Sequence, residues 1–293
     1  MLPRQITHQN IFRVLTMGFG LVIVLLLAGH LTIVGVGIGL AAGRLVTALY
    51  GASRVAWPRL RRAAPLRPLL GYGIRALPGM TSMLVNNRFD QLLIAPLVDL
   101  RALGLYAVAA GASFLPTVPA NAVAQAAFSS ITHDQHLGRQ GNASTAIRRG
   151  LLVSAVSAGL LAAVSPVAVP LLYGSAFQAA VLSTVILLAG SIPWGGQIVA
   201  RQCGNALGSP GFGSIGEVAG LVVTVVGLLA VVPLIGILGA ALVSLFAYSV
   251  RFGVTVTLLR RAGVRGIVPG LDDVRWLVRS LMKIVAPLAR PAT

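Results

Sequence analysis

Acidic residues are scarce in this 293-residue chain: six Asp and Glu stand against 23 Lys and Arg. Charged residues make up 10% of the sequence, where a soluble domain carries about 25%. So few charges cannot cover a water-facing surface, which excludes a soluble globular protein, and a 56% hydrophobic content excludes a disordered one. The single cysteine, Cys203, excludes an intramolecular disulfide framework and a Cys-rich metal site. Set among small and apolar neighbours, it reads as a packing residue. His133-Asp134-Gln135-His136 is the one clustered His/Asp set, and it reads as the start of a solvated basic loop rather than a metal site. No strand is evident, so no Gly-rich phosphate loop follows one. Asp90 and Glu217 are the acidic residues inside apolar runs, too few for the acid-base or metal constellation of a membrane enzyme. Neither a catalytic residue, a metal nor a cofactor is expected, and no cleavable signal peptide is read at the start.

What is abundant is apolar length. Mean hydropathy is +0.88, and a membrane span needs about 20 mostly apolar residues. Eight spans are read, at about 11–29, 31–50, 68–98, 102–132, 151–172, 177–207, 215–232 and 235–259. The expected fold is therefore an all-α, polytopic helical membrane bundle. Pro78, Pro96, Pro116, Pro119, Pro166, Pro170 and Pro193 fall inside these runs. Such prolines accompany the broken helices that line transporter cavities, and also the kinks of inert bundles. Gly236-x-x-Gly239-Ala240-Ala241 points to close helix packing.

A net charge of +17 and a pI near 11.8 would suit a nucleic-acid binder were the chain soluble. Here the basic residues sit at the ends of apolar runs, which is the mark of membrane topology, so no nucleic-acid partner is expected. Arg4 and Arg13 precede or open the first span. Arg54, Arg59, Arg61, Arg62 and Arg67 lie between the second and third, and Arg139, Arg148 and Arg149 between the fourth and fifth. Arg260, Arg261, Arg265, Arg275, Arg279, Lys283 and Arg290 follow the eighth. Alternating spans put all of these on one side, with Arg101 alone in the opposite loops. Both termini are thus expected in the cytoplasm of a multi-pass protein of the inner (plasma) membrane. Residues 271–285 begin with Asp272 and Asp273 and carry Arg279 and Lys283 later, as a helix dipole favours. Their apolar face, Leu271, Val274, Leu277, Val278 and Leu281, predicts a helix lying on the anionic inner leaflet.

Charged side chains inside spans are costly and mark candidate sites. Arg44, Arg75 and Arg251 lie near span ends, placed either to snorkel or to line a cavity. Arg88 and Asp90 sit deep in the third span, within Asn86-Asn87-Arg88-Phe89-Asp90-Gln91. Asn86 and Asp90 stack at i,i+4, as do Asn87 and Gln91, and Arg88 flanks them. Such a stripe faces protein or water, either as a site or as a structural seam between helices. Asn121 and Gln125 form a second pair, and Gln197, Arg201 and Asn205 a third stripe at i, i+4, i+8. Glu217 is placed to pair with Arg201 or to cap its own helix.

From about residue 70 to 260 these features resemble the carboxy-terminal lobe of polysaccharide-type flippases in the multidrug/oligosaccharidyl-lipid/polysaccharide exporter superfamily. Asn87-Arg88-Phe89-Asp90-Gln91-Leu92-Leu93-Ile94 resembles that lobe's first helix. Leu103-Gly104-Leu105-Tyr106-Ala107-Val108-Ala109 is similar to the start of its second. Leu171-Leu172-Tyr173-Gly174 with Phe177 and Ala180 is similar to the turn after its third. Residues 202–208 resemble the end of the fourth, and Gly236-Ile237-Leu238-Gly239 the start of the last.

The resemblance implies a two-lobed flippase of twelve or fourteen spans that uses ion gradients and alternating access. Its substrate would be a polyprenyl-diphosphate-linked saccharide for the cell envelope. It implies the division 1–50, two spans ending an amino-terminal lobe; 51–67, a basic cytoplasmic linker; 68–260, a six-helix carboxy-terminal lobe; and 261–293, a basic amphipathic tail. A missing amino-terminal lobe, or a partner subunit in its place, is expected. Arg88 and Arg201, with Asn87, Gln91 and Gln125, are the substrate-binding candidates, because guanidinium binds phosphate bidentately and a low dielectric strengthens the attraction. Asp90 and Glu217 are the ion-coupling candidates, Asp90 alternatively a counter-charge. Two other readings stay open: a drug or cation exporter of the same superfamily, and a non-transporting scaffold for polysaccharide assembly.

Overall fold

The computed structural model describes residues 38, 41–46, 48, 49, 53, 66–136 and 142–285, with backbone alone at 66–69, 80, 83–89, 136, 281 and 283–285. The chain divides into two compact units, Met1–Ala64 and Pro65–Thr293. In the first, the described residues are helical, and Arg44 is exposed there. The first expected span and the linker at 54–65 lie outside the described residues, as does most of the second span.

The second unit is all α among its described residues. Its helices are α1 (Leu66–Ile94), α2 (Leu100–Ser113), α3 (Thr117–His136), α4 (Ala143–Tyr173), α5 (Ala180–Ala206), α6 (Pro210–Arg261) and α7 (Leu271–Val285). Four segments are long and apolar enough to cross a membrane: Leu100–Gln135, Ala143–Tyr173, Ala180–Ala206 and Pro210–Arg261. At 29 residues, or about 44 Å, α1 is also long enough. Arg75 and the polar residues 86–91 lower its hydropathy. The protein is thus a multi-pass membrane protein.

The expected fourth span is two helices. Asp99 caps α2 by accepting a 2.6 Å hydrogen bond from the Ala102 amide. Pro116 lacks an N–H, so the chain turns once at 114–116 before α3 starts. Pro119 then falls in the first turn of α3, where a missing N–H costs nothing. His133-Asp134-Gln135-His136 closes α3 as helix, which corrects its reading as loop.

α6 is 52 residues long, about 78 Å if straight, and the hydrocarbon core is about 30 Å. It doubles back instead. Pro233 withholds a donor, and Ile235 and Gly236 leave the helical region, Gly236 at φ 60°, ψ −141°. The two legs pack closely: a Cβ on Gly227 would come within 2.7 Å of Val243. They correspond to the seventh and eighth expected spans.

α5 lies at the centre and touches α2, α3, α4 and α6. Small residues let its neighbours approach: a Cβ on Gly195 would lie 2.8 Å from the Ser154 Cβ of α4. Trp194 stacks on Tyr248 of α6 at 4.9 Å and meets Phe114 edge-on, also at 4.9 Å. Outward faces expose Leu160, Val164, Leu171, Val226, Leu229 and Phe246, as lipid contact requires.

The ends of α3, α5 and the second leg of α6 gather with the starts of α1, α4 and the first leg of α6. This end carries Arg148, Arg149, Arg260 and Arg261 and is called the basic end below. Here α7 spans the residues its sequence pattern predicts, with Asp272 and Asp273 in its first turn.

Candidate functional site

Two polar regions occur inside the lobe. The first is a cleft of about 380 Å³ near the basic end, between α1, α3, α5 and α6. Tyr72, Phe128, Arg201, Gln202, Asn205 and Ser214 line it. Gly213 makes room for the Arg201 stem, because a Cβ there would come within 2.5 Å of the Arg201 Cγ. The stem is thereby wedged while the guanidinium borders the cleft. Its Nε is buried without a hydrogen-bond partner, and among the described residues no carboxylate pairs with it. Ser214 donates to the Arg75 carbonyl at 2.8 Å, tying α6 to α1 beside the cleft. The Arg75 side chain is exposed and donates to the Gly71 carbonyl. An uncompensated cation in a partly dry cleft is an anion attractor.

The second region is buried and joins α1, α2, α5 and both legs of α6. Arg251 Nη1 lies 3.3 Å from Glu217 Oε2, and Gln197 Nε2 donates to Glu217 Oε1 at 3.3 Å. The Arg251 guanidinium also lies 5.1 Å over the Tyr248 ring. Gly220 provides the space, since a Cβ there would sit 2.8 Å from the Arg251 Nε. Deeper along α1, Asp90 accepts from the Tyr106 hydroxyl at 2.9 Å and from the Gln91 amide at 2.8 Å. The Tyr106 hydroxyl is also 3.2 Å from Ser244 Oγ. Ser244, Tyr248 and Arg251 follow one another at i, i+4 and i+7 on the second leg of α6, so the two clusters form one polar seam.

The candidates from sequence therefore fall in different places. Arg201 and Asn205 share the cleft, whereas Gln197, one turn away on the same stripe, is fully buried beside Glu217. Glu217 pairs with Arg251, not Arg201, and lies too far into α6 to cap it. Arg251 is 1% exposed, so it does not snorkel. Asp90 lies 11 residues along α1 from Gly79, the nearest cleft residue on that helix, roughly 16 Å away. Asn121 and Gln125 are exposed on α3, Asn121 donating to the Thr117 carbonyl at 2.8 Å, and Gln91 is half-buried. The side chains of Asn86, Asn87 and Arg88 lie outside the described ones. Tyr106 enters the sequence reading only as part of a family-like motif, and Ser244 and Tyr248 not at all. A Tyr or Ser in an apolar run is common, and nothing local marks the three as partners. Among the described residues no group of His, Cys, Asp or Glu can hold a metal ion.

The multi-pass helical fold with a buried charged seam and a basic cleft defines an all-α polytopic membrane protein. The chain belongs to the polysaccharide biosynthesis protein family, which matches residues 4–182. Its fold is shared with a MOP superfamily transporter from Pyrococcus furiosus, noted for the reversed polarity of its binding pocket. The TM-score is 0.60 at 16% identity, covering 77% of this chain and 52% of that one. This chain thus spans about half the length of that structure. A comparison with curated proteins finds no match.

Proposed function

We propose that this chain is a flippase lobe that moves a polyprenyl-diphosphate-linked saccharide across the inner membrane, for transport rather than catalysis. The observation that carries the reading is Arg201, held by Gly213 at the border of a cleft with no carboxylate among the described residues to neutralise it. Diphosphate is the group such a guanidinium suits, through paired N–H donors. In this reading the basic end and both termini face the cytoplasm, which the charge asymmetry supports. The cleft then stands on the side where lipid-linked sugars await export. Arg88, Asn87, Gln91 and Gln125 stand as further substrate-binding candidates on α1 and α3. Asp90 and Glu217 are the ion-coupling candidates, both buried in the seam. The half not represented in the chain's match, an amino-terminal lobe or a partner, closes the other side of the path.

A drug or cation exporter would need acidic groups bordering the cleft, and Arg201 would repel its substrate. A non-transporting scaffold would tolerate neutralising the arginines. The test is translocation of a lipid-linked saccharide in cells whose native gene carries Arg201→Gln, Arg201→Lys or Arg88→Ala. Arg201→Gln and Arg88→Ala should abolish translocation at unchanged membrane abundance, and Arg201→Lys should keep part of it. Full translocation by Arg201→Gln and Arg88→Ala would sink the proposal in favour of a scaffold.

A further inference from the structure

A groove of about 460 Å³ runs between α3 and α4 at the basic end and is roofed by α7. It shares α3 with the Arg201 cleft but no lining residue. Its wall is small and apolar, with Ala122, Val123 and Ala126, and its rim is polar, with Thr145, Arg149 and Trp276. The Arg149 guanidinium lies 4.4 Å over the Trp276 ring, and its Nε is buried with no hydrogen-bond partner.

The nearby acid is already engaged. Asp273 Oδ2 accepts from Arg148 Nε at 2.8 Å and from the Gly270 amide at 3.0 Å. Arg149 Nε stands 3.9 Å from its Oδ1, beyond hydrogen-bond length. Asp272 is exposed and faces Arg275 at 3.4 Å. The rim therefore keeps a positive charge. On its outer side α7 exposes Leu271, Val274, Val278 and Met282, a stripe at i, i+3, i+7 and i+11. Such a stripe next to Arg275 and Arg279 sets the helix at the headgroup level of a bilayer, apolar side toward the chains. The groove then leads from headgroup level into the apolar thickness.

We propose that this groove binds one anionic phospholipid of the leaflet at the basic end, its phosphate on Arg149 beside Trp276 and an acyl chain along Ala122, Val123 and Ala126. The apolar wall needs a chain to cover it, which free phosphate lacks. A zwitterionic headgroup would bring its own cation toward Arg148 and Arg149. The lipid would complete the contact between α7 and the α3–α4 pair, making tail docking depend on leaflet charge.

The test uses the full chain in phosphatidylcholine vesicles containing a minor fraction of either bromine-labelled phosphatidylglycerol or bromine-labelled phosphatidylcholine. The readout is quenching of Trp276, taken as the difference between the native chain and Trp276→Phe. Phosphatidylglycerol should quench about fivefold more effectively, the preference one basic residue confers. Arg149→Gln should remove the preference. Ala126→Phe, which keeps the arginine and fills the trough at an exposed position, should reduce quenching by both lipids. Equal quenching by the two lipids in the native chain overturns the proposal, as does a preference that persists in both variants at native helix content. Loss of the preference on adding inorganic phosphate, or a polyprenyl diphosphate, would reassign the groove to that species and also overturn it.

Discussion

Glu217 and Arg251 stand on opposite legs of the α6 hairpin and meet at 3.3 Å with almost no solvent exposure. Neither charge is tolerable alone in that place. Removing one partner of a buried pair strands the other, at a cost of about 3–5 kcal/mol, while replacing both is near neutral. Arg251→Met should therefore lower stability strongly in a detergent unfolding titration. Arg251→Met combined with Glu217→Gln, which keeps an acceptor for Gln197, should recover most of the loss. Additive losses in the double variant would show that the pair is not coupled.

Gly79 marks a close approach of α1 to α6. A Cβ there would come within 2.7 Å of the Ser214 Cα, whereas one on Gly73 meets nothing within 4 Å. Backbone cannot rotate away as a side chain can, so Gly79→Ala should cost about 1–3 kcal/mol through overpacking. Gly73→Ala, on the same helix, should be neutral or gain up to about 1 kcal/mol from helix propensity. Unfolding midpoints of the two variants compare them directly.

Gly236 reverses α6 at φ 60°, ψ −141°, a conformation open almost only to glycine. No atom crowds its Cβ position, so any penalty there comes from the backbone. Gly236→Ala should destabilise by about 1–3 kcal/mol, while Gly253→Ala, helical and uncrowded, should not. Equal midpoints for the two would mean that the hairpin does not need this turn.

Asp273 fastens α7 to α4 through Arg148, whose Nη1 also donates to the Gly266 carbonyl at 2.7 Å. Asp273→Asn removes the charge and keeps the shape. A charge-assisted hydrogen bond contributes about 1.5–3 kcal/mol, and the side chain of Arg148 is 26% exposed, which favours the lower value. Amide exchange across 271–285 should then quicken about tenfold, with exchange in α5 unchanged. Unaltered exchange in α7 would show that its other contacts suffice.

Much of the fold was legible in the chain itself. The bounds of α7 follow from Pro269-Gly270, two early acids and an amphipathic period, all local signals. The break between the last two spans is read between 232 and 235, and the structure shows its cause in Pro233 and in the non-helical Ile235 and Gly236. The split of 102–132 into α2 and α3 was less legible. Pro116 and Pro119 were seen inside one run, but a proline kink and a full turn read alike in sequence. His133–His136 reads as loop because its residues are polar and begin a basic segment, whereas α3 stays helical to His136.

The candidate site was legible in parts. The i, i+4, i+8 spacing of Gln197, Arg201 and Asn205 put the three on one face of α5. It could not tell that Gln197 is sealed beneath α6 while Arg201 borders a cleft. That depends on how α6 packs: Gly213 takes the Arg201 stem of α5, while Gly216 and Gly220 let the two legs of α6 close around Gln197 and Arg251.

Composition alone determined that this is a polytopic helical membrane protein, because so few charges cannot solvate a surface and apolar runs of span length must be buried in lipid. Its ordered motifs pointed to the family in the same way. The tertiary structure alone decided which charges neutralise each other. Helical periodicity reaches only one turn along the chain, and the pairings of Glu217 with Arg251, Asp90 with Tyr106 and Arg148 with Asp273 join residues that meet only when separate helices pack.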